Sequence, residues 1–489
     1  MGNNNLIEND SSLIKKNLIL NIIKTIMTII FPLITFPYAS RILLPVGMGK
    51  VNYVLSIVGY FQLIASLGIN TYAISAGARL RHDLNKLSKF CTEILIINII
   101  STAISYILLL LTLNSKYLQG YQTLTLISSL SIIFNTLGIS WLYNIIEDFK
   151  YITIRTILFQ FISLISLFLF VKNTNDIYMY TFLTVFSSVG SGIFNIIHSR
   201  KIVKLFNNPL NQYQIRKHLK PIIILFLSSA ASTIYMNSDK TMLGILKNDY
   251  VVGLYSASAK IVSVISVLVV ALRDVLLPRL SVYIARENKS GADDLIKKAI
   301  SMIYIFIIPS TIGIFLLSSE ITVLISSVKF IEASTSLKIL VLQLLFAPIN
   351  GFLAYQILIP YRREKIVSLA TLAGAITNIV LNYFLIPVFS LNGAAFATVI
   401  SEIVVFFILN YFIKEYFSIK TITKNLKNSV LASLPIIIFY FILSSFLNGI
   451  VLVISLVFIS VVMYALIMFV IRNEVFLMIL NSFYKKIKQ

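Results

Sequence analysis

The chain has 489 residues, of which 58% are hydrophobic and only 12% charged, with a mean hydropathy of +0.90. Ordinary globular proteins carry about 45–50% apolar and about 25% charged residues, so this composition excludes a soluble fold. A net charge of +22 would suit a nucleic-acid binder, but the cations lie between apolar runs, as the positive-inside bias of membrane proteins requires.

Single residue types exclude more. The one cysteine, Cys91, allows neither an intramolecular disulfide nor a cysteine zinc cluster. His82, His198 and His218 all stand beside charged segments, so no buried histidine metal site is expected. No metal or other cofactor is expected, and no nucleic acid partner.

In chain order, residues 1–16 are polar, and the apolar run 17–42 is too long for the core of a cleavable signal. Met1-Gly2 opens like a myristoylation site, but Leu6 stands where that pattern needs Ser or Thr. Further apolar runs follow at 51–76, 90–113, 121–143, 151–171, 178–199, 221–240, 251–278, 299–318, 337–360, 366–387, 391–413, 429–447 and 450–471. The runs are continuous and do not alternate, so they read as helices and not as barrel strands. At roughly 20 residues per crossing, the chain holds about 14 transmembrane helices.

With joints assigned alternately to two sides, 29 lysines and arginines fall on the side of the N-terminus and 8 on the other, with four inside spans. That asymmetry predicts both termini in the cytoplasm of a multi-pass membrane protein. The longest joint is basic and follows the sixth run. It divides the chain into an N-terminal lobe (1–205), a cytoplasmic connector (206–220), a C-terminal lobe (221–415) and a last pair of spans with a tail (416–489). Gly49-Lys50-Val51-Asn52-Tyr53 opens span 2 and Gly253-Leu254-Tyr255-Ser256 opens span 8, a weak sign of parallel repeats. The expected fold is an all-α integral membrane protein, two six-helix lobes in parallel-repeat arrangement around a central cavity plus two extra C-terminal helices.

Catalytic signatures are missing. Gly47-Met48-Gly49-Lys50 lacks the upstream glycine of a phosphate-binding loop, and there is no G-x-S-x-G or H-E-x-x-H. The protein is therefore not expected to be an enzyme. The informative residues are ionisable groups inside spans, each costing about 2.5–3.5 kcal/mol at a helix centre: Lys24 in span 1, Arg155 in span 5, Lys260 and Arg273 in span 8, and Glu402 in span 12. One reading is that these cations snorkel or pair with acids, which suits Arg155 best, near the end of its span. The other is a hydrated cationic cavity that admits an anion, where arginine would grip a phosphate in bidentate fashion. Lys260 and Arg273 stand about 140° apart on an ideal helix, so one narrow cavity requires a bend. Pro32 and Pro37, Pro309 and Gly313, and Pro348 and Gly351 punctuate spans 1, 9 and 10, where bends could serve alternating access.

Four stretches carry a resemblance: Phe36–Asn70 (FPYASRILLPVGMGKVNYVLSIVGYFQLIASLGIN), Trp141–Arg155 (WLYNIIEDFKYITIR), Met236–Gly244 (MNSDKTMLG) and Asn378–Glu402 (NIVLNYFLIPVFSLNGAAFATVISE). In the last, Asn378, Asn382, Pro387, Gly393, Thr398 and Glu402 stand at expected places. Over essentially its whole length the chain resembles the polysaccharide repeat-unit flippases of the multidrug/oligosaccharidyl-lipid/polysaccharide exporter superfamily. The resemblance implies translocation of a polyprenyl-diphosphate-linked oligosaccharide from the inner to the outer leaflet of a bacterial plasma membrane. It also implies membrane lipids, a polysaccharide polymerase and glycosyltransferases as partners. Lys24, Lys50, Lys260 and Arg273 look like the cavity cations of the related lipid II flippases, and Arg41, in the joint before span 2, completes the candidate substrate-binding set. In those relatives spans 13 and 14 form a lipid-tail groove; the residues here do not decide whether this chain has one. A multidrug extruder of the same fold and a non-transporting scaffold for polymer assembly remain the alternatives. Such extruders commonly carry acids in the N-terminal half, where spans 1 to 6 hold only Glu93, Glu147 and Asp148 near their ends.

Overall fold

A computed structural model describes the backbone of residues 2–285, 288–414 and 423–487. Within these segments, the side chains of 2–19, 21, 22, 24–26, 28, 29, 210, 228, 267–279, 281, 284, 285, 289, 423, 424 and 482–487 lie outside the described residues. The described residues form helices and no strand. By length and composition, 11 helices among them could cross a membrane, and the chain is a multi-pass membrane protein. The expected count of fourteen is not reached by helix length alone. The first crossing-length segment, Ile30–Leu80, runs to 51 residues and covers two expected spans; the fourth is the shorter apolar helix Gln122–Leu137. Much of the eighth lies outside the described side chains.

The chain divides into two compact units, Met1–Ile245 and Leu246–Gln489. The first unit holds α1 (Gly2–Ser66), α2 (Ile69–Gly77), α3 (Leu84–Thr112), α4 (Gln122–Leu137), α5 (Ser140–Ile145), α6 (Phe149–Phe170), α7 (Ile177–Ser199) and nearly all of α8 (Arg216–Leu246). Spans 1 and 2 are not separated by a loop. One residue, Leu44, leaves the helical region (φ 59, ψ 176), and Pro45 starts the next helix. Proline suits that place, because a first-turn residue needs no backbone N–H partner. The run 51–76, read as one span, is broken as well. Leu67 (φ 46) and Gly68 (φ 72) take left-handed conformations before α2 begins. Similarly 121–143 splits into α4 and α5 at Ile139 (φ 38).

Short polar joints close the helix ends. Asp83 accepts hydrogen bonds from the Asn85 and Lys86 amides at 3.2 and 3.1 Å, capping α3. Asp176 accepts from the Lys172 and Asn173 amides at 2.8 Å each. These backbone N–H groups hold both carboxyls below the usual carboxylate range.

The seventh span, α8, packs with the first unit, although the sequence suggested a lobe boundary before it. Ser56 and Thr241 hydroxyls meet at 2.8 Å, and Gly244 lies under the Tyr53 ring where no Cβ would fit. Two of the resembling stretches, Phe36–Asn70 and Met236–Gly244, therefore face each other.

The second unit holds α9 (Asp249–Ala285), α10 (Lys289–Leu316), α11 (Ser318–Ile325), α12 (Ala333–Leu340), α13 (Ala347–Phe352), α14 (Glu364–Phe389), α15 (Leu391–Ile413), α16 (Thr423–Ser444), α17 (Gly449–Val470) and α18 (Glu474–Ile487). Expected span 10 is the most interrupted. It runs through α12, a 3-10 turn over Val341–Leu345, α13 and a π-helical turn over Leu353–Leu358. Pro348 sits in the first turn of α13, so this proline marks a true restart. Pro32, Pro37 and Pro309 lie inside continuous helix. α14 and α15 form a tight hairpin that turns at Ser390 (φ 54).

Candidate functional site

The break at Leu44 sets two of the five candidate cations. Arg41 ends the first half of α1 and is exposed; Lys50 lies in the second turn after the break and is half-buried. Arg41 is engaged by another group. Lys50 has no hydrogen bond or ion pair among the described residues. In the second unit, Lys260 on α9 is likewise half-buried, and its ammonium has no such partner among the described residues. An ammonium drawn out of water without an acid needs hydration or an anionic ligand, because the insertion cost is otherwise uncompensated. The side chains of Lys24 and Arg273 lie outside the described residues.

The partners of several polar groups inside helices are not legible in the sequence. Glu93 on α3 is 1% exposed. It accepts from the Gln214 amide at 2.8 Å, from His218 Nε2 at 2.8 Å and from Lys217 Nζ at 3.1 Å. The Tyr72 hydroxyl meets His218 Nδ1 at 2.7 Å. Thr92 Oγ1 takes the Phe206 amide and Ser88 Oγ the Lys204 amide, both at 3.1 Å. The connector is thus bound along one face of α3, and Glu93, the best-placed acid of the N-terminal half, is already occupied. Its only sequence signal was a glutamate at the fourth position of the run 90–113, which otherwise holds apolar and uncharged polar residues.

In the second unit Glu402 on α15 accepts from Asn350 Nδ2 at 2.7 Å, and the same amide reaches the Glu402 carbonyl at 2.9 Å. Asn382 Nδ2 donates to Asn378 Oδ1 at 3.0 Å, and the Tyr255 and Thr398 hydroxyls are 3.3 Å apart. These contacts explain most of the polar positions in Asn378–Glu402. Together with Asn378 Nδ2, which donates to Thr398 Oγ1 at 3.5 Å, they join α13, α14 and α9 to α15. Glu402 is therefore part of a network and not an isolated charge.

α10, α16, α17 and α18, with Ile265 of α9 and Ile321 of α11, line a half-open recess of 420 Å³. Its walls include Ile305, Pro309, Ile436, Leu456, Val457 and Phe476. Gly313 also borders it, and a Cβ there would meet open space. A cavity this apolar favours a hydrocarbon ligand, since each methylene buried contributes about 0.8 kcal/mol. Spans 13 and 14 supply α16 and α17, which form part of its wall.

A family described as "Polysaccharide biosynthesis protein" matches residues 14–284, more than half of the chain. The chain belongs to the polysaccharide biosynthesis protein family. Among curated relatives, this family member is 26% identical over 403 residues to a putative O-antigen transporter of Shigella dysenteriae, covering 80% of this chain and 98% of that protein. It is 24% identical over 381 residues to the capsular polysaccharide biosynthesis protein CapF of Staphylococcus aureus, covering 76% and 92%. Among solved structures, the lipid II flippase MurJ in an inward closed conformation superposes with a TM-score of 0.73 at 18% identity, covering 94% of this chain and 99% of that one. An inward-facing multidrug resistance transporter of the MATE family gives 0.64 at 16% identity, covering 84% and 99%. At such identities the structures establish a shared fold and no more.

Proposed function

We propose that this polysaccharide biosynthesis family member is a flippase. It moves polyprenyl-diphosphate-linked oligosaccharide units from the inner to the outer leaflet of a bacterial plasma membrane by alternating access. Its termini are cytoplasmic, and a polymerase and glycosyltransferases act beside it. It performs no covalent chemistry. The observation that carries this reading is the half-burial of Lys50 and Lys260 without an acid partner among the described residues. A diphosphate supplies the missing negative charge. Lys24, Arg41 and Arg273 complete the set that receives it, and the apolar recess of α10, α16 and α17 suits a prenyl tail. With no nucleotide site, the drive comes from a gradient, from product removal or from the membrane potential, worth about 2.3 kcal/mol per charge per 100 mV.

A multidrug extruder would need a free acid in its N-terminal half. The occupation of Glu93 by His218, Lys217 and the connector disfavours it. The test uses the purified chain in vesicles containing a labelled lipid-diphosphate oligosaccharide. The wild type should move label to the opposite leaflet. A Lys50→Ala/Lys260→Ala double variant should slow transfer by at least about tenfold, the loss of one 1.4 kcal/mol interaction, with unchanged expression and melting. Transfer at the wild-type rate by the double variant would remove the cationic path. No transfer by the wild type would leave the scaffold reading.

A further inference from the structure

Arg155 belongs to neither the proposed path nor the core, and its surroundings are unusual. It lies on α6, half-buried, and donates from one Nη to Asn195 Oδ1 of α7. Its guanidinium stands 5.6 Å from the Tyr151 ring centre. Tyr151 clusters in turn with His198, at 4.3 Å, and Tyr143, at 4.7 Å, and those two rings stand 5.7 Å from each other. Beside this cluster opens a cavity of 370 Å³, whose lining includes Asp148, Lys150, Arg155 and His198 together with the apolar Leu158 and Phe194. Two buried polar atoms here, Arg155 Nε and His198 Nδ1, have no hydrogen-bond partner among the described residues. Such orphaned atoms are uncommon in native proteins, and two beside one recess leave groups that a polar ligand can satisfy. Asp148 faces the same space, but its carboxylate is turned to the Tyr151 amide at 3.1 Å, where it caps α6.

We infer that this recess between α6 and α7 binds the phosphate of an anionic membrane lipid headgroup. Arg155 and Lys150 supply two positive charges against the one of Asp148. The Arg155 fork, preset by Asn195 and Tyr151, offers the planar donors that phosphate oxygens accept. His198, whose Nδ1 is unpartnered among the described residues, adds a further polar group. The lipid is preferred to a free phosphate because of the apolar wall. Ile154, Leu158, Phe161 and Ile165 are 56%, 47%, 58% and 45% exposed. Their spacing puts them on one stripe of α6 running from the recess toward the hydrocarbon, and Phe194 on α7 adds a further exposed ring beside the recess. Acyl chains have a track there that a soluble anion would not use. Basic pockets between membrane helices bind anionic headgroups in this manner.

The test needs no transport and is independent of the flippase reading. The full chain is placed in phosphatidylcholine nanodiscs doped with spin-labelled phosphatidylglycerol, and the protein-immobilised fraction is measured. Arg155→Gln and Lys150→Gln should each lower the apparent affinity for phosphatidylglycerol about fivefold, the share of one charge near the surface. Labelled phosphatidylcholine should be unaffected. Lys150 is exposed, so its variant should keep the wild-type melting temperature even if Arg155→Gln loosens α6 from α7. Equal retention of phosphatidylglycerol by the wild type and both variants would overturn the site. Displacement of the label by inorganic phosphate at matched concentration would overturn its assignment to a lipid.

Discussion

Gly68 shows how single residues fix the path of a membrane helix. Its φ of 72° is reached freely only without a Cβ, and a Cβ there would lie 2.9 Å from the backbone of Leu225 and Phe226 in α8. Gly120 also has positive φ, at 87°, but a Cβ there meets nothing within 4 Å. The two glycines separate conformational strain from collision. Gly120→Ala should cost about 1–2 kcal/mol, the left-handed penalty alone. Gly68→Ala should cost about 1–3 kcal/mol more, since α8 must move. Thermal unfolding in detergent, followed by tryptophan fluorescence at Trp141, checks the pair; equal shifts would show that α8 yields without cost. The sequence could not reveal this break, because 51–76 stays apolar through Leu67-Gly68 and hydropathy is blind to φ. The Leu44 break was half legible: Pro45 and the charges of Arg41 and Lys50 marked a joint, but the structure compresses it to one residue. Lys50 and Lys260 were legible as candidates because charge inside an apolar run is rare. That neither meets an acid depends on neighbours far away in sequence.

At the scale of elements, charge can fasten as well as bind. Glu93 and His218 are 125 residues apart, and each taken singly reads as a charge near a span end. Together with Lys217 and the Gln214 amide they clamp the connector to α3. Removing the acid from such a buried cluster costs about 3–5 kcal/mol, because its partners stay buried without an acceptor. Glu93→Ala should therefore free the segment around Lys201, Lys204 and Arg216, and trypsin should cut there much faster than in the wild type. Glu93→Gln retains a carbonyl for the Gln214 amide and should fall between the two. Cleavage of Glu93→Ala at the wild-type rate would mean that Thr92 and Ser88 hold the connector unaided. The same logic separates α10 from α13. Both carry a proline that the sequence singled out, but only Pro348 begins a helix, while Pro309 is absorbed into continuous α10 beside the apolar recess. A proline announces a lost hydrogen bond, and its packing decides whether the helix stops.

At the scale of the molecule, apolar runs and basic joints carry the architecture. Helices begin and end within about two residues of the runs at α6, α7, α14, α15 and α17, while α3 and α16 each begin six residues earlier than their runs. The departures fall where a span is built from pieces, as in α12 and α13, or where polar partners join distant segments. The charge asymmetry makes a claim that the helices alone do not test. Lys201, Lys204, Arg216, Lys217 and Lys220 precede or open α8, and Lys289, Lys297 and Lys298 open α10. Between them the turn from α8 to α9 holds only Lys247, whose Nζ donates to the Pro387 carbonyl at 2.9 Å. Translocating a loop rich in lysine and arginine is opposed during insertion. A paired alkaline phosphatase and fluorescent-protein reporter fused after Asn208 or Ser290 should therefore report cytoplasm, and one after Asn248 the outside. A helix of 31 residues and one of 37, α8 and α9, are each long enough to make the crossing at 1.5 Å per residue. If Asn208 and Asn248 reported the same side, α8 would not span, and the alternation that assigns the basic joints to one face of the membrane would fail from that point on.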